Sequence, residues 1–160
     1  MSAVPEIVIR RAMPSDLPAL TSLLQRYYTE HDIWLRDPPE KTAADIAGTA
    51  AHPHLGFFLA EVDGHPAGCV LLRPLPTIAS ATECKRLYVA PEFRGHGLAG
   101  RLMDTAESHA RYCGLEWIYL DSRAEMTTAI ALYRRRGYEE IPRFNDNAEA
   151  AIFLRKRLVE

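Results

Sequence analysis

The stretch PEFRGHGLAGRLM, residues 91–103, concentrates glycines at a spacing that favours binding of an anion. Gly95, Gly97 and Gly100 follow the G-x-G-x-x-G pattern of dinucleotide-binding loops, and Asp121 lies 21 residues beyond the last of them. A loop with small side chains that leads into a helix presents free backbone N–H groups, and the helix dipole adds partial positive charge. The loop therefore predicts a phosphate ligand, with a plain strand-to-helix turn as the alternative.

The surroundings of this loop disfavour a dinucleotide. In such proteins the first glycine follows its strand directly, and βαβ units repeat on both sides. Here residues 90–94 separate the strand end at Val89 from Gly95, and the region before it carries the hairpin signal Asp63-Gly64. An NAD(P)-binding oxidoreductase is therefore the weakest alternative, and the spacing of Asp121 is interpreted as a coincidence.

The order of the predicted strands and helices around the loop indicates an α/β fold with a mixed sheet. Alternating apolar residues indicate strands, and apolar residues at helical spacing indicate helices. The predicted order is a strand at 6–12, two helices, a hairpin at 56–72, a strand at 81–90, a helix from 97 to 113, a strand at 116–122, a helix at 126–137 and two closing strands. Ser15 is the expected N-cap of the first helix. We expect one domain over residues 1–160, with six or seven strands and four helices packed on the sheet.

Composition narrows the class of protein. The 160 residues carry a net charge of −2, which disfavours nucleic acid as a partner, and no apolar run approaches the ~20 residues of a membrane span. The three cysteines form no CxxC pair, and the N-terminus lacks the pattern of a secretion signal, so a cytoplasmic protein is expected. His52 and His54 have no evident third ligand, so no metal site is predicted.

Two motifs together resemble a known family. Starting at Arg94, the loop reads Arg94-x-x-Gly97-x-Ala99, which resembles the Arg/Gln-x-x-Gly-x-Gly/Ala signature of the GNAT superfamily of N-acetyltransferases. LYVAPEFRGHGLAGRLM is similar to the family's strand, loop and helix around the acetyl-CoA pyrophosphate, and AIALYRRRGY is similar to its second signature helix and following strand. The predicted order of elements also agrees with the GNAT fold.

The resemblance implies acetyl-CoA as the co-substrate. Backbone amides of the loop would hold the pyrophosphate, and the strand edge at Leu87 and Val89 would pair with the pantetheine arm where this strand splays from WIYLDS. Met126 stands where many members have an asparagine, and a thioether cannot replace the donors of an amide. The residues assigned to coenzyme A in this way are Leu87, Tyr88, Val89, Arg94, Gly95, His96, Gly97, Leu98, Ala99, Met126 and Tyr133.

Two side chains are expected to move protons. An amine attacks a thioester as the free base, yet a lysine-like amine with pKa ~10.4 is almost fully protonated at neutral pH. Glu83 is the candidate base, since alternation places it on the same face as Leu87 and Val89 and some members carry a glutamate base here. A path through ordered water and a plain salt bridge remain alternatives. Tyr133 stands at the family's position for the acid that protonates the CoA thiolate, with a core aromatic as the alternative.

The acceptor is the least determined part of the expected reaction. The resemblance implies direct attack by a primary amine in a ternary complex, without a metal or a covalent enzyme intermediate. Segments 27–34 and 142–147 mix aromatic and charged residues, which suits a small polar amine, and the candidate acceptor residues are Tyr28, His31, Trp34 and Asn145. A non-catalytic module that senses acyl-CoA is the main alternative, and the family analogy leaves room for a homodimer.

Overall fold

The structure is a computed structural model that describes residues 3–34, 36–47 and 55–159. His52 and His54 fall outside these ranges. The strands are β1 (Ile7–Arg11), β2 (Gly56–Val62), β3 (His65–Pro74), β4 (Ala81–Val89), β5 (Trp117–Ser122), β6 (Glu139–Ile141) and β7 (Ile152–Arg157). The helices are α1 (Leu17–Glu30), α2 (Pro39–Ala47), α3 (Leu98–Tyr112) and α4 (Thr127–Arg135). The predicted mixed α/β fold is confirmed.

The seven strands form one sheet in the order β1-β2-β3-β4-β5-β7-β6. The central neighbours β4 and β5 run parallel, whereas the other neighbours pair antiparallel. The parallel pairing runs only from Ala81 opposite Trp117 to Cys84 opposite Leu120. Beyond Cys84, no described strand pairs with β4 on the β5 side. The splayed parallel pair expected from the sequence is confirmed, and it opens the sheet at its centre.

Helices cover both faces of the sheet. On one face, Leu24 of α1 packs in a buried cluster with Leu71 of β3. On the other face, Leu102 of α3 and Tyr133 of α4 share a cluster with Ile118 of β5. Fully burying an aliphatic or phenylalanine side chain stabilises the fold by ~1.5–3 kcal/mol. These two clusters therefore fix the strands and helices on both sides of the opening between β4 and β5.

A bulge in β4 overturns one expectation about its faces. Arg86 has a φ of 58°, and the register between β3 and β4 shifts between Cys69 and Leu71. Leu87 packs against the α3-side cluster that also contains Cys84. Since neighbouring residues alternate, Glu83 lies on the opposite face from Leu87. The prediction that Glu83 shares a face with Leu87 and Val89 is wrong, because the extra residue of the bulge inverts the alternation.

The start of α1 differs slightly from the prediction. Ser15 lies within a short 3-10 turn, Pro14–Asp16, and Asp16 occupies the N-cap position of α1 instead. Asp16 accepts hydrogen bonds from Arg10, at 2.7 and 2.9 Å, and from the backbone N–H of Met13 at 2.7 Å. The bond from Arg10 lowers the pKa of Asp16 below its usual value. The first helix is therefore anchored to β1 by an ion pair that its own local pattern does not show.

A buried carboxylate joins α3 to the end of the chain. Glu107 of α3 is 2% exposed, and its Oε1 accepts a hydrogen bond from Lys156 Nζ at 2.6 Å. Its Oε2 accepts from Tyr138 Oη at 3.0 Å and from Arg136 Nε at 3.2 Å. A buried charge is tolerated only when it is paired and hydrogen-bonded in this way. This network holds the C-terminal end of α4 against α3 and β7.

We expect Glu107→Gln to lower the free energy of unfolding by about 3 kcal/mol, because three cations, Arg111, Arg136 and Lys156, lose a buried charge partner. Urea denaturation measures the change. Asp104→Asn is the matched control, since Asp104 lies on the same helix and accepts from Arg136 at 2.7 Å but is 69% exposed. An exposed pair contributes about 1 kcal/mol or less. Equal losses for the two variants would show that burial of Glu107 is not what makes its contacts stabilising.

Candidate active site

The opening between β4 and β5 forms a cleft of about 480 Å³, a size that suits a small ligand. One wall is the part of β4 beyond its pairing with β5, together with the segment after α1. The other wall is the end of β5, the start of α4 and the segment before β7. The lining includes Tyr27, Ile33, Trp34, Arg36, Asp37, Lys85, Arg86, Leu87, Asp121, Arg123, Met126, Tyr133 and Glu149.

Tyr133 contributes a phenol to this cleft. The helix α4 begins directly after β5 and turns Tyr133 back over the splayed strands, where the side chain is 7% exposed. Its ring packs against Tyr138 with centroids 5.7 Å apart. Burial raises the pKa of Tyr133 well above its ordinary value, so the phenol is protonated at neutral pH. The geometry supplies a proton donor on the cleft wall.

Two carboxylates meet behind the cleft. Asn145 Nδ2 donates to Glu83 Oε2 at 2.9 Å and to Asp121 Oδ2 at 2.6 Å. Lys85 Nζ lies 3.6 Å from Glu83 Oε2 and 3.5 Å from Asp121 Oδ2. Asp121 and Lys85 line the cleft, whereas Glu83 and Asn145 lie behind these two residues. Of the two clustered carboxylates, that of Asp121 is therefore the one on the cleft wall.

Asp121 is a cleft residue that the sequence analysis does not assign to the site. Its spacing from the glycine loop looks like a coincidence, yet the structure places it in the site. The signal lies in the parallel register: Cys84 opposite Leu120 puts Lys85 level with Asp121. An acid at the end of a buried strand, level with a lysine of the strand beside it, indicates a polar cluster where the two strands part.

The glycine loop has the geometry of an anion site. Gly95 and Gly97 have φ of 88° and 72°, and a Cβ added at either would find open space within 4 Å. Gly97 caps α3, and the first α3 backbone hydrogen bond runs from the N–H of Arg101 to its carbonyl at 3.1 Å. The N–H groups of Leu98 and the two residues after it therefore lack intrahelical acceptors. These residues fit the diphosphate group that the sequence predicts.

The Arg94 side chain is engaged elsewhere. Its Nε donates to the carbonyl of Val89 at 2.9 Å, and its Nη2 donates to Glu30 Oε2 at 2.6 Å. The hydroxyl of Tyr88 donates to the same carboxylate at 2.9 Å. In this conformation the Arg94 guanidinium group therefore anchors the loop to α1. Arg94 and Tyr88 offer a ligand their backbone rather than these polar side-chain groups.

The four candidate acceptor residues lie at different depths. Trp34 is 86% exposed and lines the cleft, so it stands at its rim. Tyr28 is buried, and its hydroxyl accepts a long hydrogen bond from the N–H of Asp37 at 3.3 Å. His31 lies beside Glu30, and burial lowers its pKa. Asn145 holds the two carboxylates together. The structure therefore brings only Trp34 of this set to the cleft surface.

Two further observations on the described ranges concern metal ions and membranes. No group of three or more His, Cys, Asp or Glu residues there is arranged to hold a metal ion. Within the same ranges, no helix combines the length and the apolar character that crossing a bilayer requires.

A seven-stranded mixed sheet that splays at a parallel pair, with a helix-capping anion loop beside the split, defines the class of an acyl-CoA N-acyltransferase. A sequence model of the acetyltransferase (GNAT) family matches residues 17–138. The chain belongs to this family and is an acyltransferase.

One relative agrees with this assignment, and two solved structures show the same fold. The IAA acetyltransferase of Azospirillum brasilense is 31% identical over 139 residues, which cover 86% of this chain and 87% of that protein. A GNAT-family acetyltransferase from Staphylococcus aureus superposes with a TM-score of 0.81 at 18% identity, covering 96% of this chain and all of the other. The PaiA N-acetyltransferase of Thermoplasma acidophilum, solved with coenzyme A, gives 0.73 at 19% identity, covering 95% and 99%.

Proposed function

We propose that this protein transfers the acetyl group of acetyl-CoA to the primary amine of a small polar molecule, by direct attack in a ternary complex. The observation that carries this proposal is the open split between β4 and β5, with a protonated phenol on one wall and an anion loop at its end. The chain would act as one catalytic domain, and its cytoplasmic location and a homodimer stay predictions. Light scattering tests the homodimer.

Acetyl-CoA would be held mainly by backbone groups. The loop from Arg94 to Ala99 and the first turn of α3 offer N–H groups for the pyrophosphate. The edge of β4 from Leu87 to Val89 has no β5 residue opposite it, which leaves room for an extended pantetheine arm. Met126, at the N-cap of α4, lines the cleft with a thioether and so contributes apolar contact rather than an amide donor. The coenzyme A bound to the Thermoplasma acetyltransferase supports this choice of donor.

The acceptor must lose a proton before it can attack. An ammonium group is stabilised by a neighbouring carboxylate, and a carboxylate or an ordered water then takes its proton. Asp121 lines the cleft and, of the two clustered carboxylates, is therefore the one placed to contact an amine there. Glu83, the base expected from the sequence, contacts the same Asn145 and Lys85 side chains as Asp121. It would take the proton indirectly, by way of Asp121. The buried cluster thus provides an acceptor for the proton at Asp121 Oδ2 or, through it, at Glu83.

The departing sulfur needs a proton at the other end of the reaction. Acetyl-CoA supplies an activated carbonyl: a C–N bond forms to the amine and the C–S bond breaks. The Tyr133 hydroxyl donates its proton toward that sulfur, and its raised pKa keeps the proton in place until charge develops there. No cysteine is needed as a carrier. Cys84 lies in the core, where burial raises its pKa to about 12.

We expect Gly97→Ala to weaken acetyl-CoA binding at least tenfold, since it places a methyl group in the loop and strains a left-handed residue by ~1–2 kcal/mol. Isothermal titration measures the dissociation constant. Gly64→Ala is the matched control, because Gly64 has a φ of 78°, open space at its Cβ and a hairpin position far from the loop. If both variants bind acetyl-CoA like the parent protein, the loop is not the pyrophosphate site.

The function itself is tested by thiol release from acetyl-CoA over a panel of amino acids, polyamines, aminoglycosides and peptide N-termini. Amine-dependent release supports the proposal. Saturable binding of acetyl-CoA without release for any amine would mean that the protein senses the ligand instead of using it.

A further inference from the structure

Two charged side chains on the cleft wall have buried atoms that no described residue satisfies. These atoms are Nε of Arg86 and Oε1 of Glu149. Buried polar atoms in native proteins are almost always hydrogen-bonded, and a charged group left unsatisfied is costly. Arg86 and Glu149 have opposite charges and line the same cleft. The missing partner is therefore best sought in a ligand that carries both charges.

Arg86 packs against an aromatic ring and shares its carboxylate partner with another arginine. Its guanidinium carbon lies 5.6 Å from the centroid of the Tyr28 ring. Its Nη2 is 3.3 Å from Asp37 Oδ2, but the same oxygen accepts a much shorter bond, 2.6 Å, from Arg73. Asp37 is thus shared between two arginines. A guanidinium has five N–H donors in a planar fork, and the Nε–H of Arg86 is buried without an acceptor among the described residues.

Arg36 adds a second cation at the same ring. Its guanidinium carbon lies 5.9 Å from the Tyr28 centroid, and its Nε donates to the carbonyl of Ile33 at 3.0 Å. No described carboxylate forms an ion pair with Arg36. Two like charges on one ring repel each other, and an anion bound between them relieves this repulsion. Both arginines belong to the β4 wall of the cleft.

The opposite wall carries two acidic groups, whereas the one acidic group of the β4 wall, Asp37, is paired with Arg73 and Arg86. Asp121 lies near the end of β5, and Glu149 precedes β7. The remaining two cations of the lining are already engaged. Lys85 lies between Glu83 and Asp121, and Arg123 donates to the carbonyl of His31 and lies 3.5 Å from Glu125. The cleft is therefore polarised, with an excess of positive charge on the β4 wall and an excess of negative charge on the β5 wall.

We propose that the acceptor carries a carboxylate beside its primary amine, as an amino acid does, with Arg86 and Arg36 binding the carboxylate and Asp121 and Glu149 facing the amine. Arginine suits a carboxylate because its fork forms two parallel charged hydrogen bonds. This inference rests on the proposed amine acetylation and narrows its acceptor class. Tyr28, expected to touch the acceptor, acts instead as the platform that orients both guanidinium groups.

Matched acceptors test the carboxylate directly. Each proteinogenic amino acid is compared with its decarboxylated amine and its amide in the thiol-release assay. Calorimetric binding to the protein saturated with coenzyme A provides a readout that needs no turnover. We expect at least one amino acid to exceed both of its counterparts about tenfold or more in kcat/KM, and to bind where they do not.

Substitutions of the two arginines test whether they bind the carboxylate of the acceptor. We expect Arg86→Met to raise KM for the amino acid about tenfold or more and to leave KM for the decarboxylated amine unchanged. Arg36→Met, at an exposed position, should act in the same direction, and acetyl-CoA titration confirms that each variant is folded. Arg155→Gln is the matched control, since Arg155 lies 4.1 Å from the Trp117 ring and pairs with Glu139 at 3.1 Å outside the cleft.

The outcomes separate the two proposals. Equal turnover of amino acids and their decarboxylated amines overturns the carboxylate assignment and leaves the acetyltransferase function standing. Binding of an amino acid that depends on Arg86, without release of thiol, supports the subsite and contradicts the function. Failure of every amino acid both to bind and to react overturns the inference.

Discussion

Replacing Tyr133 with phenylalanine is expected to lower kcat about a hundredfold while the KM for acetyl-CoA changes less than about twofold. The ring that packs in the α3-side core is kept, so the cleft keeps its shape, and only the hydroxyl is lost. A positioned general acid typically contributes 10²–10⁴-fold in rate. Single-turnover measurement of thiol release is the right assay, because it isolates the chemical step from product release.

Tyr138→Phe is the control for this prediction. Its ring touches that of Tyr133, but its hydroxyl donates to Glu107 on the far side of the core. We expect Tyr138→Phe to lower stability by about 1–3 kcal/mol and to leave the single-turnover rate almost unchanged. A Tyr133→Phe variant with the parent rate under these conditions would remove Tyr133 from the reaction.

We expect the second large effect from Asp121→Asn, which should lower kcat/KM about a hundredfold near neutral pH. Asparagine keeps the size of the side chain but cannot carry the charge that attracts an ammonium group or accept its proton. The loss should shrink as pH rises, because the fraction of free amine grows about tenfold per pH unit below the pKa of the acceptor. A pH profile of kcat/KM for the variant and the parent protein measures both effects.

The variant Glu83→Gln distinguishes the role of Glu83 from that of Asp121. Because Glu83 lies behind Lys85 and Asp121, we expect its loss to lower kcat/KM about tenfold, well below the effect of Asp121→Asn. A larger loss for Glu83→Gln would return the role of base to Glu83. Near-parent rates for both variants would indicate that ordered water carries the proton away from the acceptor.

The sequence is sufficient for the fold because the signals that define it are local. The hairpin at Asp63-Gly64, the helix end at Gly114 and the glycines that lead into α3 each depend on a few adjacent residues, and each has the expected positive φ at its glycine. The switch from alternating to helical periodicity after the glycine loop locates the strand, the anion loop and the helix. The positions of the glycine loop and of the start of α3 could therefore be predicted from the sequence, and the binding of coenzyme A by these residues stays a prediction.

The other half of the site depends on contacts that no local pattern encodes. The bulge at Arg86 is formed by a non-glycine residue in the left-handed region, so simple alternation misplaces Glu83. Arg94 donates a hydrogen bond to Glu30, which is 64 residues away in the sequence, and Asn145 donates one to Glu83 across 62 residues. Asp121 enters the site only through the parallel register of β4 and β5. Side-chain partners at such separations follow from the assembled sheet and cannot be derived from spacing.

The most direct test of the proposed acetyl transfer is to mix the protein with acetyl-CoA and an amino acid and to analyse small molecules and intact protein by mass spectrometry. We predict an N-acetylated amino acid and an equal amount of free coenzyme A, with no acetyl group left on the protein. Acetyl-CoA that binds yet is never consumed with any amine would contradict this mechanism. So would saturable binding of NAD(H) by a protein that does not bind acetyl-CoA.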